Sequence, residues 1–295
     1  MTTLVKSKTT DRRSTPRGAR PRWGRPALQL TLILGLVGML YPLAWMLSSS
    51  VKPEQDIFGS VSLWPSTFVW TNYVDGWNST ASTFGLYFQN SFILAIAVVV
   101  GNVVSCTLAA YAFARLSFRF RSIWFAIMLG TMMIPYHVLA VPQYVLFGQL
   151  GWIDTFLPLI VPKFFAIEGF FIFLIAQFIR GIPRELDAAA AVDGCGPFRT
   201  FWHIVLPLCG PAMVTTAIFS FMWTWDDFFG QLIYLGSFEN YTVPLGLAAL
   251  QASTYGSTWG QLMAMSVLSL IPVTVFFLIF QRRLVEGIAT TGLRE

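Results

Sequence analysis

The chain is organised in long blocks: extended apolar runs separated by short polar stretches, with no sustained period-two alternation. Six runs are long enough to cross a bilayer, since ~30 Å of hydrocarbon takes about 20 helical residues. They cover roughly residues 28–47, 88–113, 123–145, 156–179, 205–229 and 262–280. Backbone polar groups at that depth must be satisfied by the chain itself, and continuous runs favour helices over barrel strands. The pattern predicts an all-α membrane protein with six transmembrane helices.

The polar stretches between the runs set an expected orientation. Of the 19 Lys and Arg residues, all but Lys52 and Lys163 precede the first run, separate runs two and three or four and five, or follow the sixth. The positive-inside rule then places both termini in the cytoplasm. Residues 1–26 are polar and rich in Pro, Gly and Arg, which predicts a disordered basic tail. The first run exceeds the ~7–15 residues of a signal-peptide core, so it reads as an uncleaved span. Residues 27–295 then form the transmembrane domain, with a core over about 84–281.

Composition agrees with this reading and narrows the function. The chain of 295 residues is 55% hydrophobic and only 11% charged, against about 25% charged in soluble domains. The net charge of +5 comes from the flanks of apolar runs, so it points to membrane orientation and lipid, not nucleic acid. Cys106, Cys195 and Cys209 have no metal spacing and read as packing residues. With His137 and His203 the only histidines, and neither a nucleophile elbow nor a phosphate-cradling glycine loop, no catalytic or metal site and no ATP site is expected. A secondary transporter or channel is the competing class. Such proteins are often built from internal repeats, and the two halves show none.

One polar insert stands out, about residues 180–208 between runs four and five. Ile182-Pro183 can start a helix. Glu185 and Asp187 suit its N-terminal turn. Ala188, Ala189, Ala190 and Ala191 favour it, and Gly194 after Asp193 can cap it. Pro197 starts a second short helix through Phe198, Phe201, Trp202 and Ile204, and Leu206-Pro207 marks entry into span five. A lipid-resting helix should carry large apolar and basic residues. Four alanines beside carboxylates suit close approach of a protein instead.

Candidates for a solute pathway are the intramembrane polar and aromatic residues. Glu168 and Lys163 lie five residues apart in span four, a spacing that does not pair side chains on one helix face; Lys163 can snorkel to the interface. Asn90, Asn102 and Gln177 can serve as interhelical hydrogen-bonding groups, and Asn90 is also a pathway candidate. The stretch "FMWTWDDFFGQLIYL" supplies Trp223, Trp225, Asp226, Asp227 and Tyr234, pairing the aromatic faces and acceptors that a sugar needs. Asp226 and Asp227 would repel each other in a dry site unless hydrogen bonding or a raised pKa relieved them. The outer loop holds Trp64, Trp70, Tyr73, Trp77 and Tyr87, either as an interfacial belt or as a docking surface.

The stretch from Ile182 to Cys195, with Phe198, Phe201, Ile204 and Leu206-Pro207-Leu208, resembles the cytoplasmic EAA loop of ABC-importer permeases. The family's glutamate falls on Ala188, and Asp187 lies about 100° round a helix from it. "SSVKPEQDIFG", "YFQNSFILA", "AAYAFARLSFRFR", "MIPYHVLAVPQYVLF", "GWIDTFLPLIVP" and "FQRRLVEGIATTG" are similar to the carbohydrate-importer branch, in particular its maltose-type second permease. "WTWDDF" resembles the family's Trp-Asn-Asp-Phe motif, with Asp226 in place of the asparagine. The resemblance implies a non-catalytic permease in a bacterial or archaeal plasma membrane. It also implies three protein partners: a second homologous permease, an ATPase dimer that carries ATP and Mg, and an external solute-binding protein. The loop would be a coupling helix docked on the ATPase, using Glu185, Asp187, Ala188, Ala189, Ala190, Asp193, Gly194, Phe198, Leu206 and Pro207.

Overall fold

The computed structural model describes residues 24–60, 62–252 and 259–292. The basic tail expected over 1–26 lies outside the described residues up to position 23, and Gly24–Pro26 already belong to the first helix. The side chains of Arg282 and Arg283, and all of Arg294, also lie outside. The chain divides into two units, Met1–Trp45 and Met46–Glu295.

The described residues fold as helices without strands. Helix α1 spans Gly24–Ser49. Short α2 (Glu54–Gly59) and α3 (Thr71–Asn78) follow, then α4 (Phe84–Arg115), α5 (Arg121–Thr131), α6 (Tyr136–Gln149), α7 (Leu157–Ile160), α8 (Gly169–Gly181), α9 (Glu185–Val192) and α10 (Pro197–Thr200). The chain ends with α11 (Leu206–Leu208), α12 (Gly210–Asp226), α13 (Phe229–Tyr234), α14 (Val243–Ala252) and α15 (Trp259–Gly292).

The spans correct the expectation of six simple helices. Four stretches are continuous enough to cross alone: Leu28–Ser49, Phe84–Arg115, Leu157–Gly181 and Trp259–Gln281. The third and fifth expected spans are bent pairs, Arg121–Thr131 with Tyr136–Gln149 at 96° and Pro197–Leu208 with Gly210–Asp226 at 72°. Each bend has a local cause. Pro135 disfavours the helical conformation at Ile134; at the second, Gly210-Pro211 restarts the chain after Cys209, where proline suits a first turn. The fourth span is also irregular. After α7 it tightens to a 3₁₀ turn over Val161–Phe165, turns left-handed at Ala166 (φ 54°), and resumes as α8.

Helix α4 is the axis of the second unit. At ~1.5 Å per residue its 32 residues run about 48 Å, and it packs against α8, α12, α14 and the 3₁₀ turn. Small residues permit this. A Cβ on Gly101 would come within 3.0 Å of the Phe164 ring and 3.2 Å of the Lys163 carbonyl carbon, so glycine lets the turn rest directly on the helix. One core surrounds Cys106, Ala110, Phe171, Ile175, Ile179 and Val205. A second surrounds Phe84, Tyr87, Phe221, Trp225, Leu250 and Met265. Outside them, Ile93, Ile96, Val100, Val104 and Leu108 form an exposed apolar stripe along α4, a surface suited to a bilayer or a partner subunit.

The loop after α1 is held by hydrogen bonds and ring contacts. Asn72 donates to the carbonyls of Ser50 and Lys52, each at 3.1 Å. The Glu54 carboxylate accepts from the backbone N–H groups of Trp259 and Gly260 at the start of α15, each at 3.2 Å, satisfying orphan donors of that helix. Trp64, Phe68, Trp70 and Tyr73 form a consecutive series of ring contacts with centroids 5.8–6.3 Å apart, and Trp64 and Trp70 are exposed. Tyr87, grouped with them in sequence, is instead fully buried in the second core.

Candidate coupling segment and solute cavity

Two polar regions lie along α4. The first is the segment from Gly181 to Cys209. Helix α9 ends in a double backbone closure: the N–H of Cys195 donates to the Ala190 carbonyl (2.8 Å) and that of Gly194 to the Ala191 carbonyl (3.1 Å). Gly194 has φ 77°, the left-handed conformation that such a cap requires and glycine adopts freely. The chain reverses there, and α10 continues without interruption through a π-helical stretch, Phe201–Val205, into α11. The second helix is therefore longer than expected, and Pro207 belongs to its final turn before the break at Cys209.

This segment is anchored to the end of α4. The buried Arg115 guanidinium pairs with the Asp187 carboxylate at 3.1 Å and donates to the carbonyls of Ile179 (3.0 Å) and Ile182 (2.7 Å). One turn earlier, Tyr111 donates its hydroxyl to the Pro197 carbonyl at 2.8 Å. Both halves of the hairpin are thus tied to one helix. Sequence reasoning missed Arg115 and Tyr111: Arg115 counted there only as an orienting charge.

The anchoring sorts the expected contact residues. Ala190 is buried against the bundle, so it is not available to a docked partner. Asp187 faces Arg115 rather than outward. Glu185, Ala188, Ala189, Asp193, Gly194 and Pro207 are exposed, and Leu206 is half-buried. Phe198 is exposed and stacks on exposed Trp202, rings 6.4 Å apart at 16°. The outward surface is a small-residue patch beside an aromatic ridge.

The second region is a cavity of about 430 Å³. Its walls come from α4 (Leu94, Val98, Asn102), α6 (Tyr136, Gln143, Phe147), the irregular stretch from Pro158 to Glu168, Phe171 of α8, α12 from Ser220 to Asp226, and Asp227, Gln231 and Tyr234 beyond it. The helix breaks make the room: α6 departs at 96° from α5, and α12 ends at Asp226.

Four of the expected pathway residues, besides Tyr234, line this cavity: Glu168, Trp223, Asp226 and Asp227. Lys163 joins them and forms an ion pair with Glu168. The spacing argument against that pair fails because residues 161–168 are not an α-helix; the left-handed turn at Ala166 brings position 168 back over 163. Lys163 therefore reaches across to a partner instead of snorkelling. Trp223 is half-exposed on the wall and stacks on Phe171, centroids 5.2 Å apart at 23°. Asp227 Oδ1 accepts from the Gly230 N–H at 2.9 Å, and Tyr234 donates its hydroxyl to Gln143 Oε1 at 3.3 Å.

Two expected pathway residues are elsewhere. Trp225 is buried in the second core and donates Nε1–H to the Ser269 carbonyl at 3.1 Å; two residues turn an α-helix through about 200°, which places the two tryptophans on opposite faces of α12. Asn90 is buried and donates to the carbonyls of Glu239 and Tyr241, each at 2.8 Å, which fastens the loop after α13 to α4. Asn102 is the asparagine that reaches the cavity. Its Nδ2 donates to Ser220 Oγ at 2.8 Å, and its buried Oδ1 has no partner. Tyr136 and Gln143 had no sequence signal, since neither polarity nor spacing distinguishes them from other helix residues.

Residues 101–290 match the family described as the binding-protein-dependent transport system inner membrane component. The chain is 32% identical over 277 residues to the probable ABC transporter permease protein YurM of Bacillus subtilis (strain 168), covering 93% of this chain and 91% of that protein. It is 30% identical to the arabinooligosaccharides transport system permease protein AraQ of Halalkalibacterium halodurans, covering 91% and 98%. Its fold superposes with a TM-score of 0.79 on a solved bacterial ABC transporter involved in import of the acidic polysaccharide alginate, at 20% identity and covering 91% of this chain and 99% of that one. The interrupted spans, the anchored hairpin and these matches identify the chain as a member of the binding-protein-dependent transport system inner membrane component family, the membrane permeases of ABC importers.

Proposed function

We propose that this permease forms half of the membrane pathway for a sugar or sugar-like solute, with a second homologous permease forming the other half. The solute arrives on an external binding protein, for which the exposed Trp64–Phe68–Trp70 surface is the proposed dock. The energy comes from a pair of ATPase subunits on the cytoplasmic side. ATP and Mg²⁺ reside on those subunits, and this chain does no chemistry of its own.

The observation that carries the reading is the hairpin from Glu185 to Leu208. Its outward face is a patch of Ala188, Ala189 and Gly194 beside Phe198 and Trp202, and its inward face is bonded to α4 through Arg115 and Tyr111. Such a surface accepts a close-packed protein partner, and such an anchor moves as one body with α4. Closure of the ATPase pair would then rotate α4 together with α8 and α12, which wall the cavity. Alternating access follows: the same displacement that moves the hairpin changes which end of the cavity is open.

The test is purification of the chain from its native membrane followed by transport in proteoliposomes. The expected outcome is co-purification with an ATPase and solute uptake that stops when ATP hydrolysis is blocked. Uptake that continues without hydrolysis would overturn the reading in favour of a secondary transporter.

A further inference from the structure

The cavity wall carries a charge pattern that the importer reading alone does not predict. Three carboxylates, Glu168, Asp226 and Asp227, share it with a single ammonium, Lys163. Lys163 is engaged by Glu168, and among the described residues neither Asp226 nor Asp227 forms an ion pair, so the wall keeps an excess of negative charge. Asp227 holds a backbone N–H through Oδ1, and Asp226 is exposed on the wall. Independently, Asn102 is 3% exposed and its Oδ1 has no partner, although it stands in the same wall. A buried unpaired acceptor costs free energy unless something donates to it. Trp223, half-exposed on the same cavity's wall, offers a ring face.

We infer that this cavity selects neutral polyhydroxylated solutes, whose hydroxyl groups donate to Asn102 and the aspartates while a C–H face covers Trp223, and that it repels anionic ones such as sugar phosphates, sulfonates and uronates. The inference rests on the cavity being part of the solute pathway. Hydroxyl donors suit a wall dominated by acceptors. An anion would meet two like charges in a confined, largely apolar chamber, where fields are focused rather than screened. Swapping the aspartates for asparagines keeps the shape and the acceptor carbonyls while removing the repulsion.

Methanethiosulfonate probes read the sign of the field directly. Thr224 lies on the wall, and its backbone carbonyl accepts from Gln231 Nε2 at 2.8 Å, a bond that a side-chain change leaves in place, so Thr224→Cys introduces a reporter thiol there. In the assembled transporter carrying Thr224→Cys and Cys195→Ser, the rates of modification by a cationic trimethylammonioethyl reagent and an anionic sulfonatoethyl reagent are compared with those of a free thiol. The cationic preference should exceed that of the free thiol by about tenfold or more. Asp226→Asn with Asp227→Asn should return it to within about threefold of the free-thiol ratio, and Asp226→Asn alone, which leaves the Gly230 contact untouched, should move it part of the way. A ratio equal to that of the free thiol overturns the charge selection. If the absolute rate still changes with ATP, the pathway reading survives that result. A thiol that neither reagent reaches in any nucleotide state overturns both.

Discussion

The coupling hairpin and the cavity are both built against α4, and they treat polar groups in opposite ways. At the hairpin, Arg115 and Tyr111 are engaged by a carboxylate and three backbone carbonyls within the chain. At the cavity, Asn102 keeps an unpaired oxygen and, among the described residues, neither aspartate forms an ion pair. The anchor is closed at its charge-bearing ends, although Arg115 Nε itself has no hydrogen-bond partner; a segment that must transmit displacement gains from such internal bonds, because an open hinge would absorb the movement. A segment that must receive and release a solute gains from open valences, which a passing hydroxyl can fill and vacate.

The largest effect should come from opening the closed region. Arg115→Ala leaves Asp187 and the carbonyls of Ile179 and Ile182 without their partner. Removing one member of a buried charged pair costs about 3–5 kcal/mol; Asp187 is 29% exposed, so water relieves part of this, and about 2–3 kcal/mol is expected. The purified complex should melt earlier and hydrolyse ATP with less solute moved per ATP. A variant with normal melting and an unchanged solute-to-ATP ratio would show that the anchor transmits nothing.

A smaller loss is expected at Gly194, and two substitutions separate its causes. No heavy atom lies within 4 Å of a Cβ built there, so Gly194→Ala adds only the cost of a left-handed conformation, about 1–2 kcal/mol. Gly194→Trp adds the same strain plus bulk on the exposed face. If the hairpin docks a protein, the tryptophan variant alone should lose ATP-driven uptake. Equal uptake in the two variants would remove the docking role from this patch.

The two tryptophans of α12 sharpen the contrast within one helix. Trp225→Phe loses the bond to Ser269 and should cost about 1 kcal/mol in thermal stability with uptake nearly intact. Trp223→Phe keeps a ring against Phe171 and should change stability less and reduce uptake more. The opposite ranking, read from melting and transport of the same preparations, would reverse which tryptophan belongs to the solute.

The sequence made the membrane residence and the hairpin legible, because apolar length and capping chemistry are local properties. It did not reveal where spans break. Pro135 and Gly210-Pro211 sit at bends, yet Pro42, Pro142 and Pro272 lie inside continuous helices, so proline alone does not locate a break. The left-handed Ala166 had no signal at all, and without it the Lys163–Glu168 pair was read on the wrong geometry. Asn90 and Asn102 share a residue type and a helix. Only the packing of distant segments decides that one fastens a loop and the other faces the cavity.

The smallest effect lies at the turn that closes the cavity end of the bundle. Asp154, itself left-handed at φ 62°, accepts through Oδ1 from the N–H groups of Gly236 and Ser237, both at 2.9 Å, and from the Ser237 hydroxyl at 3.0 Å. The Ser237 N–H foremost, against the opposing effect of burial, with the Gly236 N–H and the Ser237 and Asn240 side chains adding to it, lowers its pKa from 3.8 to about 2. A carboxylate with a depressed folded pKa stabilises the fold above its unfolded value and loses that contribution as pH falls through the folded one. The contribution should be complete above about pH 4 and should fade between 4 and 2. Asp154→Asn keeps an acceptor, and asparagine tolerates the left-handed backbone, so it removes the charge alone. Hydrogen exchange at Gly236 and Ser237, corrected for intrinsic rates, should show greater protection in the parent at pH 6 and convergence with the variant near pH 2. A gap that stayed constant over that range would mean that the turn is held by shape rather than by the charge on Asp154.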